Sequence, residues 1–114
     1  MSDYPTPAYR RENNISDDGA LDPLEVNIRA TIAELETLLI RKHRDYGPKN
    51  ISESPGGPIN GLRVRMHDKL ARINNLYSKG NLNNPEFESL EDSFKDLANY
   101  SIIALLVLRD QWDK

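Results

Sequence analysis

The sequence contains no cysteine, which removes both a disulfide framework and a thiolate metal site. It has only two histidines, His43 and His67, outside any metal-ligand spacing, so an imidazole-built centre is not expected. Positive charge is not in excess. With a net charge of −3 and a pI near 5.3, the chain has no global attraction to phosphate backbones, and no extended nucleic-acid surface is expected. Long apolar runs are also missing. The longest, Ile102 to Leu108, is far too short to span a bilayer, and MSDYPTPAYRRENN at the start lacks the apolar stretch of a secretory signal. These absences predict a soluble, cytoplasmic protein, and 114 residues with 38% hydrophobic content predict one modest domain.

What is present is helical periodicity. Residues 1–21 are polar, with an acidic SDDG patch, and are expected to form a flexible arm that buries too little to order itself. A single helical domain is expected over 22–114. In DPLEVNIRATIAELETLLIRKHRDYG, Asp22 can cap, Pro23 suits the first helical position, and Leu24, Ile28, Ile32, Leu35 and Leu39 share one face. Gly47 and Pro48 end that helix. The following GPKNISESPGGPIN reads as a long loop whose glycines and prolines form turns. A second helix is signalled by Leu62, Met66, Leu70, Ile73 and Tyr77, with Gly80 as its stop, and a third begins near Pro85 or at Ser89. No alternating strand pattern competes, so the fold class expected is all-α. It is a compact bundle of three main helices, completed by dimerisation because the third helix is apolar all round below Asn99.

That third helix, ESLEDSFKDLANYSIIALLVLRDQW, carries the chemistry. At roughly 100° per residue, Glu88, Asp92, Asp96 and Asn99 fall within a quarter-turn of one another, and Lys95 lies in the same arc. Leu90, Phe94, Leu97, Ala104, Leu105, Leu108 and Trp112 occupy the opposite face, the expected core stripe. The acids suit a helix N-terminus, where the macrodipole favours negative charge. Acids four residues apart nevertheless repel by a few tenths of a kcal/mol, and a divalent cation would offset that cost. Carboxylate oxygens suit Mg²⁺ or Mn²⁺. Glu88, Asp92 and Asp96 are therefore the candidate metal ligands, with Asp92 and Asp96 as the catalytic pair and Asn99 orienting a ligand.

Cations are placed to complement a phosphate. Lys42 and Tyr46 continue the apolar stripe of Leu35 and Leu39, so Lys42 either extends its head to water or, with Lys49 of the loop, approaches a phosphate. Arg65, Lys69 and Arg72 either decorate a charged surface, with Asp68 and Arg72 pairing four apart, or form an anion-binding wall. Lys42, Lys49, Lys69, Arg72 and Asn99 are the candidate nucleotide-binding residues.

Three segments, KHRDYGPKNI, GLRVRMHDKLARINNL and ESLEDSFKDLANY, occur in this order and resemble the small phage and bacterial family called nucleotide modification associated domain 1, whose members are often labelled MazG-like. The resemblance spans about residues 24 to 112. It implies a compact helical protein of viral nucleotide metabolism, working in the bacterial host cytoplasm. The looser likeness to MazG implies an all-α nucleoside triphosphate pyrophosphohydrolase that cleaves between the α and β phosphates with carboxylate-held Mg²⁺. The chain departs from the MazG pattern: the first helix offers only Glu34 and Glu36, two apart and on different faces, and the third has no clean E-x-x-D.

Three functions follow as expectations. The first is metal-dependent hydrolysis of a nucleoside triphosphate to monophosphate and pyrophosphate. The second is non-catalytic capture of a nucleotide or nucleotide-derived signal, as an anti-defence protein would perform. The third is a helical adaptor in a nucleotide or DNA modification pathway, using Tyr77, Trp112 and the arm as its surface. A homodimer is the expected assembly.

Overall fold

The computed structural model describes residues 21–80 and 86–114, with the side chains of residues 86–89 outside that description. The arm expected over residues 1–21 falls outside it up to residue 20. All the described elements are helices: α1 (Pro23–Tyr46), α2 (Lys49–Ser52), α3 (Pro58–Ser78) and α4 (Glu86–Leu108). The expected all-α class is the one observed, and the added element is the short α2, inside the segment expected to be loop. No described helix is long and apolar enough to cross a membrane.

The chain forms two compact units, Met1–Glu36 and Thr37–Lys114. In the first, α1 starts as the sequence dictates. The Asp22 Oδ1 accepts the backbone N–H of Leu24 at 2.9 Å and that of Glu25 at 3.3 Å, and Pro23 fills the position where no N–H is needed. Leu24, Ile28 and Ile32 on this part of the helix are exposed.

The second unit holds the core. The α1 helix ends there at Gly47, whose φ of +72° is the left-handed conformation glycine adopts without strain, and whose N–H donates to the His43 carbonyl at 2.8 Å. Helices α3 and α4 form the main packing pair, and α2 rests on α3. Ile51 of α2, Leu62 of α3 and Ile103 of α4 make the buried centre, with Leu39, Ile59, Tyr100, Ala104, Val107 and Trp112 packed around it. Full burial of a side chain such as Leu62 stabilises the fold by about 1.5–3 kcal/mol. Ile51 earns α2 its helical turn: only a turn there carries this side chain inward from an otherwise polar segment.

The observed core faces differ from those read off the sequence. On α3 the buried positions are Leu62, Ile73 and Leu76, whereas Leu70 and Tyr77 are exposed. The larger correction concerns α4. Phe94, Leu105 and Leu108 are 55%, 47% and 72% exposed, while Ser93, Asn99 and Ile103 are buried. The expected core stripe of α4 is split: Phe94, Leu105 and Leu108 face outward, while Leu90 and Leu97 are half-buried and Ala104 and Trp112 pack against the core.

Candidate functional site

A cavity of about 370 Å³ opens in the second unit between the end of α1, the α2 segment, α3, α4 and the C-terminal residues. Helical spacing explains its walls. Leu39, Lys42, His43 and Tyr46 recur at three- and four-residue steps and so share one face of α1. Arg65 and Lys69 are one turn apart on α3, and Asp96, Asn99, Tyr100 and Ile103 are spaced likewise on α4. Gly47, Asn50 and Ile51 close one end, and Trp112 closes another.

Asp96 organises the charge. Its two carboxylate oxygens accept from different lysines: Oδ1 from Lys42 Nζ at 3.0 Å, and Oδ2 from Lys69 Nζ at 2.9 Å. Burial pushes the Asp96 carboxyl up, but the hydrogen bonds from Lys69 and Lys42, with their charges, outweigh it and hold the group below its usual range. Asp96 is thus an anion that ties α1 and α3 to α4. Each ammonium has three donors and spends one on Asp96, so each retains capacity for a further acceptor.

Arg65 is the third cation of the cavity, and it is fixed in place. Its Nη1 donates to Ser54 Oγ at 3.3 Å and its Nη2 to the Asn50 carbonyl at 3.1 Å, while Ser54 Oγ donates to that same carbonyl at 2.9 Å. Gly61 makes this arrangement possible. A Cβ there would overlap Ser54 Oγ and lie 3.1 Å from Arg65 Nη1, so any side chain would push the arginine's support aside.

Aromatic rings line the remaining wall. The Trp112 indole N–H donates to the Pro48 carbonyl at 3.1 Å, and its ring meets that of His43 edge to face, with centroids 5.7 Å apart. Next to Trp112, the Asp113 carboxylate accepts from Ser52 Oγ at 2.8 Å and pairs with Lys49 at 3.3 Å. The Ser52 hydrogen bond leads, with Lys49, in holding the Asp113 carboxyl below its usual range. The C-terminal residues are thereby fastened to α2 and keep the indole at the cavity.

Of the residues singled out in the sequence, Lys42, Lys69, Asp96 and Asn99 come together in this cavity. Lys49 does not line it; it serves the Asp113 contact, with Glu53 at 4.0 Å. Arg72 and Asp92 are exposed and do not line it. Glu88 sits on the first turn of α4, and its side chain lies outside the described residues. Among the described side chains the fit to a divalent cation is poor. Asp96 already serves two ammoniums, and among the described residues no group of three or more His, Asp or Glu side chains comes together to hold a metal ion. Sequence reasoning passed over His43, left Arg65 between two roles, and gave Tyr100 and Trp112 no part in a pocket. The signal for Arg65 was available: positions 62, 65, 69, 73 and 76 repeat at steps of three or four, which puts two cations on the buried stripe of α3.

No curated protein and no solved structure matches the chain significantly. A family match does exist, and it covers residues 42–108, more than half of the chain and nearly all of the elements that build the cavity. On that match, the chain belongs to the nucleotide modification associated domain 1 family.

Proposed function

We propose that this protein binds a nucleotide in the cavity between α1, α3 and α4, with its phosphate on Lys42, Lys69 and Arg65 and its base against the rings of Tyr46, Tyr100 and Trp112. The observation that carries the reading is the meeting of three cations and an aromatic wall in one cavity of about 370 Å³. Stacking of a base on an aromatic side chain contributes about 1–3 kcal/mol and tolerates any base, and a preorganised guanidinium suits phosphate oxygens. Membership of a nucleotide-related family agrees with this chemistry. Asp96 holds both lysines in place, so little ordering remains to be done when an anion enters.

Metal-dependent hydrolysis of a nucleoside triphosphate, with Glu88, Asp92 and Asp96 holding Mg²⁺ or Mn²⁺, is the second reading. The continuity of α4 from Glu86 favours it, because the three acids then share one stripe. It requires Asp96 to exchange two ammonium partners for the cation, and for that reason capture is the reading preferred. Assembly as a homodimer belongs to the same proposal, supported by the exposed Phe94, Leu105 and Leu108 of α4.

The test is incubation of the protein with a panel of ribo- and deoxynucleotides, with and without Mn²⁺, followed by mass spectrometry of bound and free species. Capture predicts one nucleotide retained on the protein and recovered intact. Metal-dependent release of monophosphate and pyrophosphate would establish the hydrolase instead. Retention of no nucleotide at all would leave the adaptor reading.

A further inference from the structure

We infer that the ligand of this cavity is a nucleoside monophosphate, in preference to the corresponding di- or triphosphate. The inference rests on the nucleotide-binding reading above and names the ligand class of that same site. Charge decides it. Lys42, Arg65 and Lys69 line the cavity against a single lining carboxylate, Asp96, and three cations against one anion leave a surplus of two positive charges. A phosphate monoester carries about −1.5 to −2 at neutral pH, which matches that surplus.

A triphosphate brings two further ionised phosphoryl groups, and proteins commonly neutralise that excess with Mg²⁺ held by one or two carboxylates together with the phosphates. This cavity offers no such help among its described residues. Asp96 is occupied at both oxygens by ammoniums at 3.0 Å and 2.9 Å, and no described cluster of acids stands beside it. Arg65 is tethered on its own side of the cavity, because Ser54 and the Asn50 carbonyl accept from both of its terminal nitrogens.

The 370 Å³ cavity lies near the lower end of the ~300–1,000 Å³ typical of small-molecule sites. Lys42, 46% exposed, marks the rim of the cavity, and Lys69, 27% exposed, is more enclosed.

The experiment is calorimetric titration of the full chain in EDTA with matched nucleosides, 5′-monophosphates and 5′-triphosphates, and with ribose 5-phosphate and inorganic phosphate. The expected result is that one nucleoside monophosphate binds at least tenfold more tightly than its own triphosphate, its nucleoside and ribose 5-phosphate. Lys42→Gln, at the rim, should weaken the monophosphate at least fivefold, and Lys69→Gln should do so more strongly. A triphosphate that binds as tightly as the monophosphate, or more tightly, overturns this inference while the nucleotide-binding reading stands. Ribose 5-phosphate equal to the monophosphate, or no binding by any nucleotide, overturns both.

Discussion

Along one side of α4, Ser93, Asn99 and Ile103 are buried and Asp96 is largely enclosed; along the other, Phe94, Leu105 and Leu108 stand in solvent. An amphipathic helix that served only stability would do the reverse, because burying a polar group costs free energy unless it is paired. Here the polar side is turned inward and its carboxylate is supplied with two ammoniums from other helices. The inward side of α4 thus carries both the Asp96 carboxylate of the cavity and, further along, the Ile103 of the core. The outward side is left as an apolar surface of the kind that partners cover.

The largest effect that can break this comparison is at the core below the cavity. Ile103→Ala should lower unfolding free energy by about 2–4 kcal/mol, whereas Leu105→Ala, two residues on and outward, should cost less than about 0.5 kcal/mol. Urea denaturation of both variants checks it, and equal losses at the two positions would mean that the assignment of faces is wrong.

A smaller effect sharpens the role of Asp96. At neutral pH, Asp96→Asn removes the charge that both lysines use and should cost about 1.5 kcal/mol. The folded carboxyl titrates below its ordinary value of 3.8, so its stabilising contribution is present above that value and is lost as pH falls through the lowered one. Acid denaturation should therefore be steeper in the wild type than in Asp96→Asn over that window. Parallel profiles would show that the lysine pairs contribute nothing to folding.

The smallest effect on stability is on the outward face. Phe94→Ser should change the stability of the isolated chain by less than about 0.5 kcal/mol. If a second copy covers Phe94, Leu105 and Leu108, light scattering should show a wild-type mass of twice 13.0 kDa that falls toward 13.0 kDa in the variant. A wild-type mass of 13.0 kDa across micromolar concentrations would remove the homodimer.

Much of the helical layout was legible in the sequence, because caps and stops are local: Asp22 and Pro23 open α1, Gly47 closes it, and Gly80 follows α3. The α2 turn was not, since KNIS has no periodicity and its one apolar residue, Ile51, is drawn inward by tertiary packing. Two members of the polar stripe of α4, Asp96 and Asn99, were legible as neighbours, and so was the stripe's continuation into Ile103, while Asp92 of the same stripe lies exposed outside the cavity. The orientation of α4 was not, because a helix apolar on two sides does not say which side its neighbours will take. The partners of Asp96 were beyond sequence reasoning for a related cause: Lys42 lies 54 residues away, and nothing local distinguishes a lysine that pairs inward from one that extends to water.

The central claim is that the inward face of α4 is a ligand site, and titration of a nucleoside monophosphate followed by nuclear magnetic resonance tests it most directly. The account predicts saturable shifts at the Trp112 indole N–H, the Asn99 side-chain amide and the backbone of Lys69, with Phe94 and Leu105 unmoved. Shifts confined to Phe94, Leu105 and Leu108, or no saturable shift at any of these positions, would contradict it.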